Sequence, residues 1–496
     1  MYWFAGPYSG SELHHLPPVH DRELMNAPNE LPGAALAPSH SRSEALAARF
    51  AERIAQRLLA PGSRLPSVRD CARQQGISPS TVVAAYDRLQ AQGLVEAQRQ
   101  RGFFVRAART PPQAALQATR TTLPPPVDAT ALIRAMFHQG AGLAGPGLGT
   151  LPDTWLDGAL VQRALRRAIQ DSSDALRYGD PAGDSSLRKA LARRLGDDLG
   201  IAADPARILT TQGATQALDI VARTLLKPGD AVLVDEPGWA VEFARLSRMG
   251  MRLLSVPRGP QGPDLEVMRR HLLEHRPRLY TTVSVLHNPT GASLSLASAH
   301  QVLKLAEAHD LTIVEDDTYA WLAPPHLPRL AALDGLQRTI YISGFSKILA
   351  PNWRVGFLAA APALMERFTD TKLLSGLTTP ALLERAVAWC LEQGLLRRHA
   401  ERVTVRLAAA RLRVMRLVEE AGCRFAAAPA GLFGWVETGV DTELLALHLA
   451  KAGWLVAPGR LFHAGARPST LMRVNFAGAQ DARFWREFAQ ARKALE

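Results

Sequence analysis

Ser343-Gly344-Phe345-Ser346-Lys347 closes a β-prone run that begins at Thr339, and Arg354 and Gly356 follow it closely. Only seven of the 58 basic residues in this 496-residue chain are lysines, so a lysine inside a patterned segment stands out from an arginine background. One lysine at the end of a strand is by default a surface group, and its surroundings decide otherwise. Upstream, Leu311–Glu315 is a β-prone run followed by Asp316-Asp317-Thr318-Tyr319, an acid and a phenol three residues apart. Leu279–Val285 leads to His287-Asn288-Pro289-Thr290-Gly291, and Ala231–Asp235 leads to Glu236-Pro237-Gly238-Trp239. Ile208–Thr211 leads to Gly213-Ala214-Thr215 at the mouth of a helix, and far downstream lies Met472-Arg473-Val474-Asn475-Phe476. Strand-like runs alternating with helical segments and Gly, Pro and Asn turns argue a largely parallel α/β sheet. Open α/β sheets bind ligands at the carboxyl ends of their strands, and that is where Thr215, Asn288, Asp316 and Lys347 fall.

Those groups share a chemical logic. A lysine can hold an aldehyde as an imine, an acid can keep a pyridine nitrogen protonated, and an aromatic face can cover a ring. Small residues opening a helix present N–H groups to a phosphate. These are the requirements of pyridoxal phosphate. Each signal has a plainer reading when taken singly: a tight turn at Gly213, a core aromatic at Trp239, a helix cap at Asp316, a structural ion pair at Arg473. Taken in order, from about Tyr178 to Phe476, they resemble the fold-type I aminotransferases. The resemblance implies that Lys347 forms the Schiff base with pyridoxal 5'-phosphate, that Asp316 pairs with the pyridinium nitrogen, and that Asn288 and Tyr319 hydrogen-bond the ring hydroxyl. It further implies that Arg354, Ser346, Ala214 and Thr215 hold the phosphate and that Trp239 stacks on the ring. Tyr178, in Tyr178-Gly179-Asp180-Pro181-Ala182-Gly183, would reach the phosphate from the partner subunit of a homodimer. Arg473 matches the arginine that clamps a substrate α-carboxylate, a task suited to a planar fork. Gly344 departs from the pattern, since relatives place Ser or Thr there, which implies a weaker grip on the phosphate.

The formal charge of +12 is unevenly spread, with twelve arginines against five acids between Ser41 and Thr110. That segment also carries a helical stripe, Leu46, Phe50, Ile54 and Leu58, stopping at Pro61-Gly62. Ser67-Val68-Arg69-Asp70 has the form of a capping box, and Ser78-Pro79 opens a third helix with Val82, Ala85, Tyr86 and Leu89 inward. Two short β-prone segments follow, Leu94–Ala97 and Phe103–Arg106, joined by Gln98-Arg99-Gln100-Arg101-Gly102. Three helices and a basic hairpin make a winged helix. The stretch from Leu65 to Val105 resembles the winged helix of GntR-type bacterial regulators, which implies that Arg69, Ser78, Ser80, Thr81, Arg99, Arg101 and Gly102 face double-stranded DNA. Pro79 and Val83 stand where relatives often carry a groove-reading arginine, which leaves the bases that are read open.

The expected organisation is a poorly ordered leader over 1–40, a winged helix over 41–107, a Pro-rich linker over 108–135 and an aminotransferase-like domain over 136–496, its smaller α+β part starting near 390. No stretch approaches a membrane span and no export signal opens the chain, so the expected location is the cytoplasm, with no membrane partner. Cys71, Cys390 and Cys423 are scattered singly, which suits neither a disulfide framework nor a metal site; no metal is expected. A GntR-like winged helix joined to an aminotransferase-like domain resembles the MocR group of bacterial regulators. The resemblance implies a homodimeric transcriptional regulator in which the cofactor domain senses pyridoxal phosphate or a small amino compound. Two rivals stand beside it: a working aminotransferase with an appended DNA-binding domain, and a cofactor fold decayed into a dimer scaffold.

Overall fold

The computed structural model describes residues 41–55, 59–60, 62–98, 101–106, 145–170, 176–465 and 467–496. The expected leader, the expected linker and Arg99 lie outside them. The chain divides into two compact units, one up to Thr121 and one from Thr122 onward.

In the first unit, helices α1 (Arg42–Ala55), α2 (Val68–Gln75) and α3 (Pro79–Ala91) precede the hairpin of β1 (Val95–Gln98) and β2 (Gly102–Val105). Local chemistry fixes the helix ends. Ser67 accepts from the Asp70 N–H and donates to its carboxylate, and Gly76 closes α2 in the left-handed conformation. Ser78 caps α3 through the Thr81 N–H, with Pro79 at the first helical position. Leu46, Phe50, Cys71, Val82, Ala85, Tyr86, Leu89, Val95 and Val105 form the core. Tyr86 sits at its centre, edge-on to Phe50 and Phe103, and donates to the Pro66 carbonyl at 3.0 Å. The hairpin sets Val95 opposite Val105 and Gln98 opposite Gly102.

The second unit is built on an eight-stranded sheet, ordered β3 (Ile208–Thr211), β10 (Gly356–Ala359), β9 (Thr339–Gly344), β8 (Thr312–Asp316), β7 (Leu279–Thr282), β4 (Ala231–Glu236), β5 (Arg252–Gly259) and β6 (Gly262–Pro263). Strands β9, β8, β7, β4 and β5 run parallel, and β10 runs antiparallel between β9 and β3. Neighbouring residues of β4 serve different cores. Val232 and Val234 pack with helices 214–225 and 362–376, while Leu233 packs with helices 265–275 and 296–308. A sheet covered on both faces explains why its strands read as unbroken apolar runs. The expected run Leu279–Val285 stops as a strand at Thr282. There Arg258 takes the Val283 carbonyl at 3.2 Å, and Leu286 adopts a φ of +51°, which turns the chain out of the sheet.

A smaller antiparallel sheet, ordered β11 (Arg424–Phe425), β12 (Phe433–Glu437), β14 (Leu471–Asn475) and β13 (Ala457–Pro458), packs with helices 442–451 and 482–493. It is the expected C-terminal α+β part. The three cysteines are buried and free. Among the described residues no helix is long and apolar enough to cross a membrane and no cluster suits a metal ion.

Candidate functional site

The parallel strands end on one edge of the large sheet. Asp316 is the last residue of β8 and is buried; its carboxylate accepts from the Thr318 N–H at 3.0 Å and from the Thr318 hydroxyl. No cation pairs with it among the described residues, and burial pushes it up to about 6. It lines one cleft with Trp239, Glu242, Phe243 and His287. Lys347 follows β9 and reaches the Gly149 carbonyl at 2.8 Å. Burial lowers its amine to about 8; Arg473 and Arg354 lower it too, and Asp316 opposes them. Its proton is therefore lost within reach of neutral pH, as a nucleophilic amine requires.

Behind the lysine, helix 214–225 begins directly after Gly213, so the amides of Ala214 and Thr215 have no carbonyl one turn earlier to bond. Arg354, itself at a φ of +52°, donates to the Ser346 hydroxyl at 3.1 Å and to the Gln212 carbonyl at 3.2 Å. Gly213 has a φ of +79°, and a Cβ there would lie 2.5 Å from Arg354 Nη2. At Gly356 a Cβ would lie 2.6 Å from the Gly213 backbone. Two glycines thus let a guanidinium, a hydroxyl and a helix N-terminus converge on one small volume.

On the other side, β14 brings Arg473 to Asn288, Nη1 to Oδ1 at 2.8 Å, and to the Gly147 carbonyl at 2.6 Å. The guanidinium lies over the rings of Phe433 and Phe462, 4.5 and 5.0 Å from their centroids. Burial lowers Arg473 to about 10, and its Nε has no acceptor among the described residues. Tyr319 is buried edge-on to Phe433 at 5.4 Å. His287, its Nδ1 paired with the Thr290 hydroxyl, is pushed far below its usual range by burial and is neutral. The sequence-predicted residues Ala214, Thr215, Trp239, Asn288, Asp316, Tyr319, Ser346, Lys347, Arg354 and Arg473 therefore line this edge. Tyr178 does not join them within one chain, being 83% exposed.

Sequence reasoning missed Gln212 and the carbonyls of Gly147 and Gly149, because a backbone acceptor carries no side-chain signal. It also missed the buried group of Asp235, Arg258, Tyr280 and Thr282 behind His287, joined by bonds of 2.5 to 3.0 Å. In the first unit Arg69, Ser80, Arg101 and Gly102 are exposed, Ser78 binds the Ser80 and Thr81 hydroxyls, and Thr81 is half-buried. Arg64 was missed: it bridges to β2 and its Nε would be 3.3 Å from a Cβ at Gly102, so it stands beside the wing tip.

Residues 149–486 match the aminotransferase class I and II family, and residues 42–105 match the gntR family of bacterial regulatory proteins. The chain is 31% identical to the HTH-type transcriptional regulator TauR of Rhodobacter capsulatus over 442 residues, 82% of this chain and 86% of TauR. It is also 31% identical to the probable rhizopine catabolism regulatory protein MocR of Rhizobium meliloti, over 69% of this chain and 70% of that protein. The chain belongs to the MocR-type regulators of the GntR family. Among solved structures, the α-aminoadipate aminotransferase LysN of Thermus thermophilus, complexed with N-(5'-phosphopyridoxyl)-L-leucine, superposes with a TM-score of 0.67 at 26% identity, covering 73% of this chain and 95% of LysN. This MocR-type regulator thus couples a DNA-binding winged helix to a fold-type I aminotransferase-like domain whose cofactor is pyridoxal 5'-phosphate. Three features suit that cofactor: a buried carboxylate without a cation, an amine that is easily neutral, and the glycine-lined cradle beside Arg354.

Proposed function

We propose that this regulator senses a small amino compound, or pyridoxal phosphate itself, in its aminotransferase-like domain and thereby alters DNA binding by a homodimer in the cytoplasm. In this reading Lys347 holds the cofactor aldehyde, Asp316 its ring nitrogen, and Asn288 and Tyr319 its ring hydroxyl. Ala214, Thr215, Ser346 and Arg354 hold the phosphate, helped by Tyr178 of a second copy, and Trp239 covers the ring. Arg473 takes the effector's carboxylate; Arg69, Ser78, Ser80, Thr81, Arg99, Arg101 and Gly102 meet DNA. The domain boundaries proposed for this division of labour are 41–107, 108–135 and 136–496.

The observation that carries the reading is the pairing of Lys347 and Arg473 at one site. Among the described residues both hold only neutral oxygens, Gly149 O for the lysine and Gly147 O and Asn288 Oδ1 for the arginine. An aldehyde suits the lysine and a carboxylate suits the arginine, so the cofactor and an amino acid bound together satisfy both. When bound, pyridoxal phosphate supplies the aldehyde carbon that an incoming amine condenses with. Lys347 accepts and returns the proton exchanged there, Asp316 keeps the ring nitrogen protonated, and the aromatic walls around Arg473 exclude water. A ligand shifts the protein only by binding one of its arrangements better, so effector and DNA affinities must be linked.

The test is the visible absorption of the loaded protein during titration with amino acids. A spectrum that shifts and stays, with a matching change in DNA affinity, is expected; Lys347→Ala should abolish both. A second reading has a specific basis, since Lys347, Asp316 and Arg473 are all in place for turnover. If an amino acid removes the aldehyde spectrum and a keto acid restores it, the domain is a working aminotransferase.

A further inference from the structure

The described part of the second unit opens with Gly145–Thr150, a strap that crosses the site and continues the chain coming from the winged helix. Asn475 fastens it. Its Nδ2 donates to the carbonyls of Leu148 at 2.8 Å and Thr150 at 2.7 Å, and its backbone N–H donates to Pro146 O at 2.8 Å. The Gly147 N–H donates to Leu455 O at 2.8 Å, and a Cβ on Gly147 would lie 2.4 Å from the Val456–Ala457 backbone. Asn475 lies two residues beyond Arg473 on β14, which puts both on one face of the strand. One strand therefore carries the carboxylate clamp and the anchor of the strap.

The strap's inward carbonyls occupy the effector's carboxylate clamp and the cofactor's lysine. Gly147 O accepts from Arg473 at 2.6 Å and Gly149 O from Lys347 at 2.8 Å. Among the described residues Arg473 is left with two neutral acceptors and a buried Nε that has none. A carboxylate adds a full opposite charge and a two-pronged fit to the guanidinium, which two separate neutral acceptors do not supply.

We propose that the strap Gly145–Thr150, positioned by Asn475, competes with the effector carboxylate for Arg473, so that effector binding releases Gly147 and passes the site's occupancy to the chain leading to the winged helix. The proposal rests on the sensor reading and supplies its transmission. Asn475 acts through the strap, as a positioning residue. The release is partial, because the bonds of Asn475 and of the Gly147 N–H lie outside the competition.

The test uses the full chain loaded with pyridoxal phosphate and follows hydrogen exchange in residues 145–152. The probes are L-alanine and ethylamine, the same molecule without its carboxylate; any other amino acid that shifts the cofactor spectrum is paired with its own decarboxylated amine. The amino acid is expected to speed exchange in the strap several-fold, and the amine to bind without doing so. Asn475→Ala loosens the competitor and is expected to bind the amino acid about fivefold more tightly, the worth of roughly one hydrogen bond. A merely structural asparagine would give weaker binding instead. An amino acid that shifts the cofactor spectrum yet leaves strap exchange unchanged overturns the strap and spares the sensor. So does an Asn475→Ala chain that binds no more tightly. A spectrum that no amino acid alters overturns the amino-acid effector, and the strap with it, and leaves pyridoxal phosphate itself or an amine without a carboxylate as what is sensed.

Discussion

Asp316 is the residue at which function and stability oppose each other. Burial raises its carboxyl to about 6, Glu242 and Asp317 add to the rise, and the Thr318 bonds pull against it. A group whose folded pKa lies above its unfolded value stabilises the fold only while protonated. Its contribution is complete below about pH 4 and is lost as the pH rises through about 6. Asp316→Asn keeps the shape and removes the charge. Without cofactor the variant is expected to be more stable than the parent at pH 8 by on the order of 2 kcal/mol, and equal to it at pH 4. With pyridoxal phosphate the order should reverse, because the carboxylate then has its pyridinium partner. Thermal melts at both pH values decide it, and identical melts at pH 8 without cofactor would show that burial does not strain this carboxylate. The role of Asp316 was legible because an acid at a strand end, followed by a phenol, is a side-chain pattern. What raises its pKa was not legible, because Glu242 lies 74 positions earlier and meets it only in the folded cleft.

At the scale of elements, the sequence shows best what is local. The capping box at Ser67, the Ser78-Pro79 start and the Gly213 turn are each written in four or five adjacent residues, and each is where the pattern puts it. The end of β7 is not, because Arg258, held by Asp235 at 2.9 Å, reaches across strands to take the Val283 carbonyl. Gly213 carries a prediction that separates strain from function. It and Gly335, which closes helix 330–334 at a φ of +63°, both occupy the left-handed half of backbone space. A Cβ at Gly335 meets nothing within 4 Å, whereas at Gly213 it meets Arg354. Gly335→Ala should lose about 1–2 kcal/mol from left-handed helical strain, and Gly213→Ala, with ψ at 168° where only glycine is at ease, about 1–3 kcal/mol. Only Gly213→Ala should also displace Arg354, and its affinity for pyridoxal phosphate is expected to fall at least tenfold, read by equilibrium dialysis. Equal retention of cofactor by the two variants would mean that the Arg354 cradle does not grip the phosphate.

At the scale of the molecule, Tyr178 stands apart from the other proposed cofactor residues of its own chain. The loop that carries Tyr178 is rigidly held: buried Lys372 donates to Pro181 O at 2.7 Å, Arg188 donates to Gly183 O at 3.0 Å, and Glu384 accepts the Asp184 N–H at 2.7 Å. Burying a lysine is costly, and burial lowers Lys372 to about 8. Yet the tyrosine that this framework presents points away from its own chain. Leu374 and Leu377 of the same unit are exposed as well, at 91% and 53%. A fixed loop, an exposed aromatic and exposed leucines are what a two-fold interface needs when each copy completes the other's site. Tyr178→Phe and Lys347→Ala should each capture cofactor poorly, the first for want of a phosphate ligand and the second for want of the amine. Mixed under conditions that exchange subunits, they should complement. A hybrid holds one site with Lys347 from one copy and Tyr178 from the other, and random pairing makes that about one site in four. Recovery of aldehyde absorbance to about that fraction, well above the residual level of either parent, is the expected result. If Tyr178 instead serves its own chain, every site in the mixture lacks one residue and no absorbance returns.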